Sequence, residues 1–140
     1  MVKICLDTGV ISLFFSNDRP ADVEQLFNEI KGNKLEAYVL KEVLVEVFKH
    51  LCRLKGIEIA SAHITSFIQT YPIRLIDLDL ALIIKAGTLK CQNSEKLSYI
   101  DCMIVAYCLN EKITLHTTEK TIQHLPNETL QRLKLVKHRF

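Results

Sequence analysis

The sequence of 140 residues lacks most of the short motifs by which enzyme classes are commonly assigned. It has no glycine-rich phosphate loop and no G-x-S-x-G nucleophile elbow. Its five histidines are scattered and no C-x-x-C pair occurs, so neither residue type is spaced for a zinc site. No apolar run approaches the ~20 residues that span a bilayer, and no secretory signal is visible. These absences predict a cytoplasmic protein without a membrane partner.

Charge of one sign is also scarce, because the formal net charge is only +2. This value argues against a basic clamp for nucleic acid but leaves a local basic patch open. Hydrophobic residues make up 49% of the chain and charged residues 24%, which is typical of a compact fold rather than a disordered chain. The five cysteines are an odd number and mostly lie in apolar segments, which favours reduced core thiols and again a cytoplasmic location.

The sequence does contain an alternation of short strand-like runs and longer segments with helical periodicity. The strand-like runs are Lys3–Leu6, Glu36–Val39, Ile73–Ile76, Ile113–His116 and Leu133–Val136. The helical segments begin near Gly9 and at Ala21, and then cover Lys41–Leu54, Glu58–Thr70, Asp79–Leu89 and Ser98–Leu109. Strands alternating with helices predict a parallel sheet covered on both faces. We therefore expect one domain over residues 1–140, a three-layer α/β/α sandwich around a central, mostly parallel sheet of about five strands.

Four acidic residues lie close to these apolar segments, namely Asp7, Glu46, Asp101 and Glu119. An ionised carboxylate beside a buried segment is costly unless something neutralises it, and one divalent cation can neutralise several carboxylates at once. Asp7 follows the first predicted strand and Glu119 comes shortly after the fourth, whereas Glu46 and Asp101 lie in the first turns of helices. Ligands of open parallel sheets bind beyond the carboxyl ends of the strands, so all four acids are expected at one edge.

Each of these acids also has a purely structural interpretation. Asp7 is an equally good N-cap for the helix that follows it. The segment from Ser98 to Asp101 resembles a capping box, in which an aspartate in the first turn gains from the helix dipole. Thr118 can cap a short helix in which Glu119 would gain in the same way. Capping and metal binding are compatible, because the start of a helix can hold a carboxylate in the direction that an ion requires.

The two acids of the predicted helix Lys41–Leu54, Glu42 and Glu46, differ in their angle to the apolar stripe of that helix. At ~100° per residue, Glu42 falls almost opposite the centre of the stripe and Glu46 falls near its border. We therefore expect Glu42 in solvent and Glu46 beside a partly buried site, with a surface pair to Lys49 as the alternative for Glu46. Capping of the next helix explains Asp77 and Asp79 more simply than a place in the site.

Four segments of the chain occur in a familiar order. Residues 4–9 read Ile-Cys-Leu-Asp-Thr-Gly, and Glu46 lies early in the helix after the second strand. Residues 97–106 read LSYIDCMIVA around Asp101, and residues 115–120 read LHTTEK. In this order and spacing the chain resembles the PIN-domain nucleases, particularly the small stand-alone ones of the VapC toxin type. The resemblance covers nearly the whole chain, and its first and third motifs are the most specific.

This resemblance implies a metal-dependent endoribonuclease that hydrolyses RNA phosphodiester bonds, as the toxin of a toxin–antitoxin pair. Asp7, Glu46 and Asp101 would be the catalytic acids and core metal ligands, with Glu119 in the fourth position. Thr117 would orient a water or phosphate through its hydroxyl, although the same hydroxyl could simply cap a helix. Oxygen ligands suit Mg²⁺ or Mn²⁺ better than zinc.

Two residues depart from the family pattern. Gly9 replaces the small polar residue that usually follows Asp-Thr, and Glu119 stands where many members have aspartate. The longer side chain leaves a direct metal contact, a water-mediated contact or no contact open. The resemblance further implies an antitoxin whose Arg or Lys meets the carboxylates, and a homodimer. The helices Ala21–Ile30 and Glu42–Leu54 could supply the dimer contact, unless their apolar faces belong to the core.

Other functions stay open at this point. A nuclease of the PIN type could act in RNA maturation or decay, and a PIN-like module could bind RNA or protein without catalysis. A catalytic site of this kind needs basic groups around its acids, because a bare acidic pocket repels nucleic acid. The candidates, which are otherwise ordinary surface residues, are Lys41, Lys49, Arg53, Lys120 and Lys137.

Overall fold

The computed structural model describes residues 1–93, 95–118 and 121–139, with only the backbone described at Thr121. Its strands are β1 (Val2–Leu6), β2 (Leu35–Leu40), β3 (Ile73–Ile76), β4 (Thr114–Thr117) and β5 (Leu135–Lys137). Its helices are α1 (Thr8–Phe15), α2 (Ala21–Lys31), α3 (Lys41–Lys55), α4 (Ile57–Thr70), α5 (Leu80–Gln92), α6 (Tyr99–Glu111) and α7 (Asn127–Arg132), with a 3₁₀ helix at Thr121–His124. No helix within the described ranges has both the length and the apolar character to cross a bilayer.

The five strands form one parallel sheet in the order β3-β2-β1-β4-β5. The chain moves outward from β1 to β3 and then returns to the other side of β1 for β4 and β5. In the register of the sheet, Cys5 lies opposite Tyr38 of β2, and Leu6 lies opposite His116 of β4. The direction of the strand order therefore changes between β1 and β4, which is where parallel sheets open a crevice for ligands.

Right-handed crossover connections distribute the helices over the two faces of the sheet. The connections β1-to-β2 and β2-to-β3 run in one direction, which places α1 to α4 on one face. The connection from β3 back to β4 runs in the other direction, which places α5 and α6 on the opposite face. The contacts agree with this division, because α1 packs against α2 and α3 while α5 packs against α6. The predicted three-layer α/β/α architecture around a parallel sheet is confirmed.

Burial follows from these positions in the fold. The central strand β1 buries Ile4, Cys5 and Leu6 in succession, as expected of a strand covered on both faces. The apolar residues of α2 and α3 that were candidates for a dimer contact lie in the core instead; they are Val23, Leu26, Phe27, Ile30, Val43, Val47 and Leu51. Exposed aliphatic side chains occur at Val45 and Leu54 of α3 and at Leu80, Ile83 and Ile84 of α5, among other places.

Most elements match the sequence-based prediction closely, with the clearest differences near the carboxyl terminus. Strand β3 has the predicted bounds, whereas β5 begins at Leu135 rather than at Leu133. Leu133 is a buried residue directly after α7, a helix of six residues that the sequence did not predict. Its apolar periodicity is too short to be recognised, since the helix contains a single leucine at position 130.

Candidate active site at the carboxyl edge of the sheet

Asp7 lies at the centre of the carboxyl edge, directly after β1, and only 1% of its surface is exposed. Its Oδ1 accepts a hydrogen bond of 3.0 Å from the backbone N–H of Val10, so it is the N-cap of α1. This confirms the capping interpretation of the sequence. The cap uses only one oxygen of the carboxylate, however, because the other oxygen, Oδ2, faces the neighbouring strand β4.

The end of β4 supplies further donors to Asp7. The hydroxyl of Thr117 donates to Oδ2, and the backbone N–H of Thr118 donates to the same atom at 3.3 Å. The register explains this meeting, because Leu6 pairs with His116 and the next residue of each strand is therefore level with the other. Thr117 is fully buried, so its hydroxyl holds the carboxylate in a fixed position rather than pointing into solvent.

Gly9 allows this close approach of β4 to α1. A Cβ atom placed on Gly9 would lie 1.7 Å from Oγ1 and 2.9 Å from Cβ of Thr118. The Cβ of Thr118 cannot move without the backbone, so an alanine here would push Thr118 away from Asp7. The departure of Gly9 from the family pattern therefore has a physical reason in this chain, which is the threonine side chain that fills the space.

Asp101 lies in the first turn of α6 and is 8% exposed. The helix is capped by Ser98, whose Oγ accepts a 3.0 Å hydrogen bond from the backbone N–H of Asp101. This confirms the predicted helix start. With its own N–H used in the cap, the carboxylate of Asp101 lies beside the positive end of the helix dipole.

The path of α6 places Asp101 at the same edge and on the same face of the sheet as Asp7. Helix α6 leads almost directly into β4 and so runs against the strand direction, which brings its first turn to the carboxyl edge. Cys108 of α6 lies against Cys5 of β1, and the Cys5 thiol, burial and the negative charge of Asp7 raise the pKa of the Cys108 thiol. Asp101 lies about 10 Å along the helix from Cys108 and Asp7 about 7 Å along the strand from Cys5, in the same direction.

The acids of α3 are arranged differently from the prediction. Glu46 is half-buried in the second turn, as expected. Glu42, which was expected in solvent, is also half-buried, and its Oε1 is fully buried with no hydrogen-bond partner among the residues that the structure describes. That expectation was wrong, because a helical wheel describes only the helix and not what surrounds its first turn. The hydroxyl of Thr8, at the start of α1, is likewise buried, and no described residue hydrogen-bonds to it.

These oxygens have the chemistry of a site for a hard cation, although the described acids do not cluster around one point. Carboxylate and hydroxyl oxygens are the ligands that Mg²⁺ and Mn²⁺ prefer, and an orphaned buried oxygen is stabilised by a cation. Within the described ranges, no three His, Cys, Asp or Glu side chains are gathered closely enough to hold a metal ion. Glu119, the fourth predicted acid, lies outside the described residues, and so does Lys120.

The basic candidates for the rim fall into two groups. Lys41 forms an ion pair of 2.8 Å with Asp77, across the ends of β2 and β3. Lys49, Arg53 and Lys137 are exposed, the first two on α3 and the third on β5. Asp79 caps α5 through a 2.8 Å hydrogen bond from the N–H of Leu82, so its structural interpretation is confirmed.

A chain of polar groups that the sequence did not predict lies behind Asp7, with His116 and His138 buried and Asp22 at its exposed end. His116 Nδ1 is 2.9 Å from His138 Nε2, and His138 Nδ1 is 2.7 Å from Asp22 Oδ2. Burial, followed by the charge of His138, lowers the pKa of His116 to about 4. The backbone of the same residues supports the site, because the carbonyl of His116 accepts from the N–H of Asp7 at 3.1 Å and the N–H of His138 donates to Thr117 at 2.8 Å.

No local signal in the sequence points to this chain of groups. Its members are 22 and 116 residues apart, and none belongs to a recognisable motif. Since β4 alternates its side chains, His116 faces the α1–α4 side of the sheet while Thr117 faces the α6 side. Only the strand order brings the two histidines and Asp22 together.

Comparison with solved structures places this fold among known ones. A chain of VapBC2 from Rickettsia felis, bound to a DNA fragment from its promoter, matches with a TM-score of 0.72 and 19% identity, over 99% of each chain. A chain of DNA-bound VapBC from Salmonella typhimurium matches with a TM-score of 0.72 and 17% identity, over 98% of each chain. VapC20 of Mycobacterium tuberculosis, described as a sarcin-ricin loop cleaving toxin, matches with a TM-score of 0.64 and 16% identity, over 79% of this chain and 85% of the other.

At these identities the structural matches show a shared fold and leave function open. A search of curated protein sequences finds no match. A model of the PIN domain family, however, matches residues 4–128, from the second residue after the start of β1 to the first turn of α7. This range includes Asp7, Glu46 and Asp101 together with the end of β4. The chain belongs to the PIN domain family.

Proposed function

We propose that this protein is an endoribonuclease that hydrolyses RNA phosphodiester bonds with Mg²⁺ or Mn²⁺, as the toxin of a toxin–antitoxin pair. The observation that carries the proposal is the buried carboxylate of Asp7 at the switch point of the sheet, held by Thr117 and Thr118 from the neighbouring strand. Asp101 at the start of α6 belongs to the same edge. Membership of the PIN family and folds shared with VapBC chains support the same reading.

Each acid has a proposed role. Asp7, Glu46 and Asp101 are the core ligands of the ion, and Glu119 is the fourth. The bound ion would activate a water for attack on phosphorus and stabilise the leaving oxygen. Thr117 is a positioning residue, because its hydroxyl donates to Asp7 and fixes the orientation of that carboxylate.

The remaining groups hold or exclude the substrate. Lys49, Arg53 and Lys137 are exposed cations that can meet the RNA backbone, whereas Lys41 is partly neutralised by Asp77. An antitoxin would place Arg or Lys against the carboxylates and so block the site that RNA needs. We propose a homodimer and a cytoplasmic location on the family resemblance alone, with the dimer contact outside the buried faces of α2 and α3.

The substitution Asp101→Asn tests the proposal most directly. Asparagine keeps the size of the side chain and leaves the Ser98 cap intact, because the cap uses the backbone N–H. We expect cleavage of a single-stranded RNA in Mn²⁺ to fall by more than about 100-fold, with the melting temperature nearly unchanged. Glu111→Gln, at the exposed last residue of the same helix, is the matched control and should cleave like the wild type. Full activity of Asp101→Asn, in a preparation free of contaminating nuclease, would refute the assignment.

Calorimetric titration with Mn²⁺ separates catalysis from the non-catalytic alternative. An intact site should bind the ion with a measurable heat, and Asp7→Asn should weaken or abolish that binding. A wild-type protein that binds no Mn²⁺ but still binds RNA would be a PIN-like module without metal chemistry. A small antitoxin gene beside the gene for this chain would favour the toxin role over RNA maturation or decay.

A further inference from the structure

The carboxyl-terminal half of α5 and the first turn of α6 enclose a cavity of about 490 Å³. The two helices lie side by side and antiparallel. Lys90 near the end of α5 donates a 2.5 Å hydrogen bond to the carbonyl of Leu97, and Lys85 near its start donates to Asn110 near the end of α6. The volume lies within the range of roughly 300–1,000 Å³ that is usual for small-ligand sites.

The position of this cavity relates it to the candidate active site. Tyr99 and Cys102 line the cavity, and Asp101 belongs to the same first turn of α6, with its side chain turned about 100° from that of Cys102 around the helix. A strand of RNA bound at Asp101 would therefore pass the mouth of the cavity within one helical turn. The argument for an RNA ligand here thus rests on the proposed ribonuclease function.

The lining of the cavity has the chemistry of a platform for nucleobases. The side chain of Tyr99 is 69% exposed, and the Lys90 ammonium lies 4.8 Å from the centroid of its ring. The other described lining groups are apolar or small, such as Ile83, Gly87 and Met103, and none of them is a carboxylate. Proteins bind single strands by stacking bases on aromatic side chains beside cations, because every base has an aromatic face and every phosphate a negative charge.

Gly87 gives a second and independent observation. It lies in the interior of α5, where glycine is less favourable than alanine. Its φ is not positive, and a Cβ placed on it would meet no atom within 4 Å, so neither backbone conformation nor crowding requires a glycine. The effect of the missing side chain is to leave the wall of the cavity open.

We propose that this cavity receives an unpaired base of the RNA substrate, stacked on the exposed face of Tyr99 with the charge of Lys90 beside it. A second copy of the chain is the competing occupant, because Leu80 and Ile84 of α5 are also exposed. The aromatic–cation pair and the place beside Asp101 favour the base, since an aliphatic dimer contact needs neither.

The test is a binding experiment in Mn²⁺ with a short single-stranded RNA that carries 2-aminopurine. It uses the Asp101→Asn background, so that the RNA stays intact. Stacking on an aromatic ring quenches 2-aminopurine fluorescence. We expect Tyr99→Ala to weaken binding by roughly 5- to 100-fold and to remove the quenching, whereas Tyr99→Phe should stay within about twofold. Gly87→Leu should fill the cavity and weaken binding to a similar degree. Ala81→Leu, at an exposed position of the same helix outside the cavity, is the matched control and should bind normally.

Three results would overturn the inference, and the first two are distinguishable from failure of the ribonuclease proposal. If Tyr99→Ala binds and quenches like its parent while the wild type cleaves RNA, the base does not use this cavity and the ribonuclease stands. If Gly87→Leu leaves RNA binding unchanged but converts a dimer to a monomer in sedimentation, the cavity belongs to a second copy. If the wild type neither binds nor cleaves RNA, both proposals fail together. Because Gly87→Leu adds a good helix former, its melting temperature should not fall. If it does fall, the comparison of Tyr99→Ala with Tyr99→Phe decides whether the base uses this cavity.

Discussion

The ends of β1 and β3 carry two aspartates that do the same local work. Asp7 and Asp79 each follow a strand, and each caps a helix by accepting from the backbone N–H three residues later, at 3.0 Å and 2.8 Å. Asp79 is exposed and follows an edge strand, whereas Asp7 is buried and follows the central strand. The neighbouring strand β4 therefore adds Thr117 and Thr118 to the second oxygen of Asp7. The position of the strand in the sheet, and not the cap, distinguishes a candidate catalytic acid from a structural one.

The largest difference should appear when each aspartate is replaced by alanine. For Asp7→Ala we expect RNA cleavage to be lost. We also expect the free energy of unfolding to fall by about 2–4 kcal/mol, because the helix cap is lost and the donors to the carboxylate stay buried without an acceptor. For Asp79→Ala we expect the free energy of unfolding to fall by about 1 kcal/mol and cleavage to stay within about twofold of the wild type. Urea unfolding and an RNA cleavage assay measure the pair. Equal losses of stability would show that β4 adds nothing to the setting of Asp7.

Lowering the pH should destabilise the fold at the pairing of β1 with β4, through the buried His116 of β4. Burial lowers the pKa of this histidine from 6.5 to about 4, so between these values the unfolded chain binds a proton that the native chain does not. The free energy of unfolding should therefore fall as pH falls through this window, by up to about 3 kcal/mol. The loss is complete once the pH is below the native pKa.

Urea midpoints measured across this pH range test the expectation. His116→Asn should flatten the profile. Asp22 acts in a separate window: burial alone would raise its pKa, but the hydrogen bond and charge of His138 outweigh burial and lower it below 3.8. Its contribution is thus lost only at more acidic pH. A flat wild-type profile above pH 4 would contradict the burial of His116 in its neutral form.

Replacing two glycines should change the stability of the fold in opposite directions, one in the helix after β1 and the other in the helix after β3. Gly9→Ala, in the helix after β1, should destabilise by about 1–3 kcal/mol, because the added Cβ collides with Thr118. Gly87→Ala, in the helix after β3, should stabilise by about 0.5–1 kcal/mol, because nothing lies near its Cβ and alanine is the better helix former. Thermal and urea unfolding of the two variants decide this. A neutral Gly9→Ala would mean that the end of β4 is free to move.

The smallest effect is expected for the ion pair between Lys41 and Asp77. Both side chains are largely exposed, at 54% and 75%, so solvent screens their 2.8 Å contact. Asp77→Asn should change the free energy of unfolding by no more than about 0.5 kcal/mol. A double-mutant cycle with Lys41→Met isolates the pair. A coupling well above 1 kcal/mol would show that the end of β3 is more ordered than its exposure suggests.

The elements and the order of the acids could be predicted because both depend on local patterns. Periodicity located the long helices, and the capping signals at Asp7 and Ser98 were confirmed as caps. The setting of the site could not be predicted, because it depends on contacts across the sheet. Gly9 and Thr118 meet only through the pairing of β1 with β4, and the histidine chain needs β5 and α2 as well. The burial of Glu42 escaped prediction for the same reason.

The placement of β1 between β2 and β4 has a consequence for synthesis in the cell. The first strand leaves the ribosome early, but the partners that hold Asp7 are residues 117 and 118. A nascent chain that has not yet reached Thr114 lacks β4 and cannot orient this carboxylate, however well its earlier helices have folded. A nuclease built in this way would remain harmless to the messenger and the ribosome that make it until the strand that carries Thr117 had emerged.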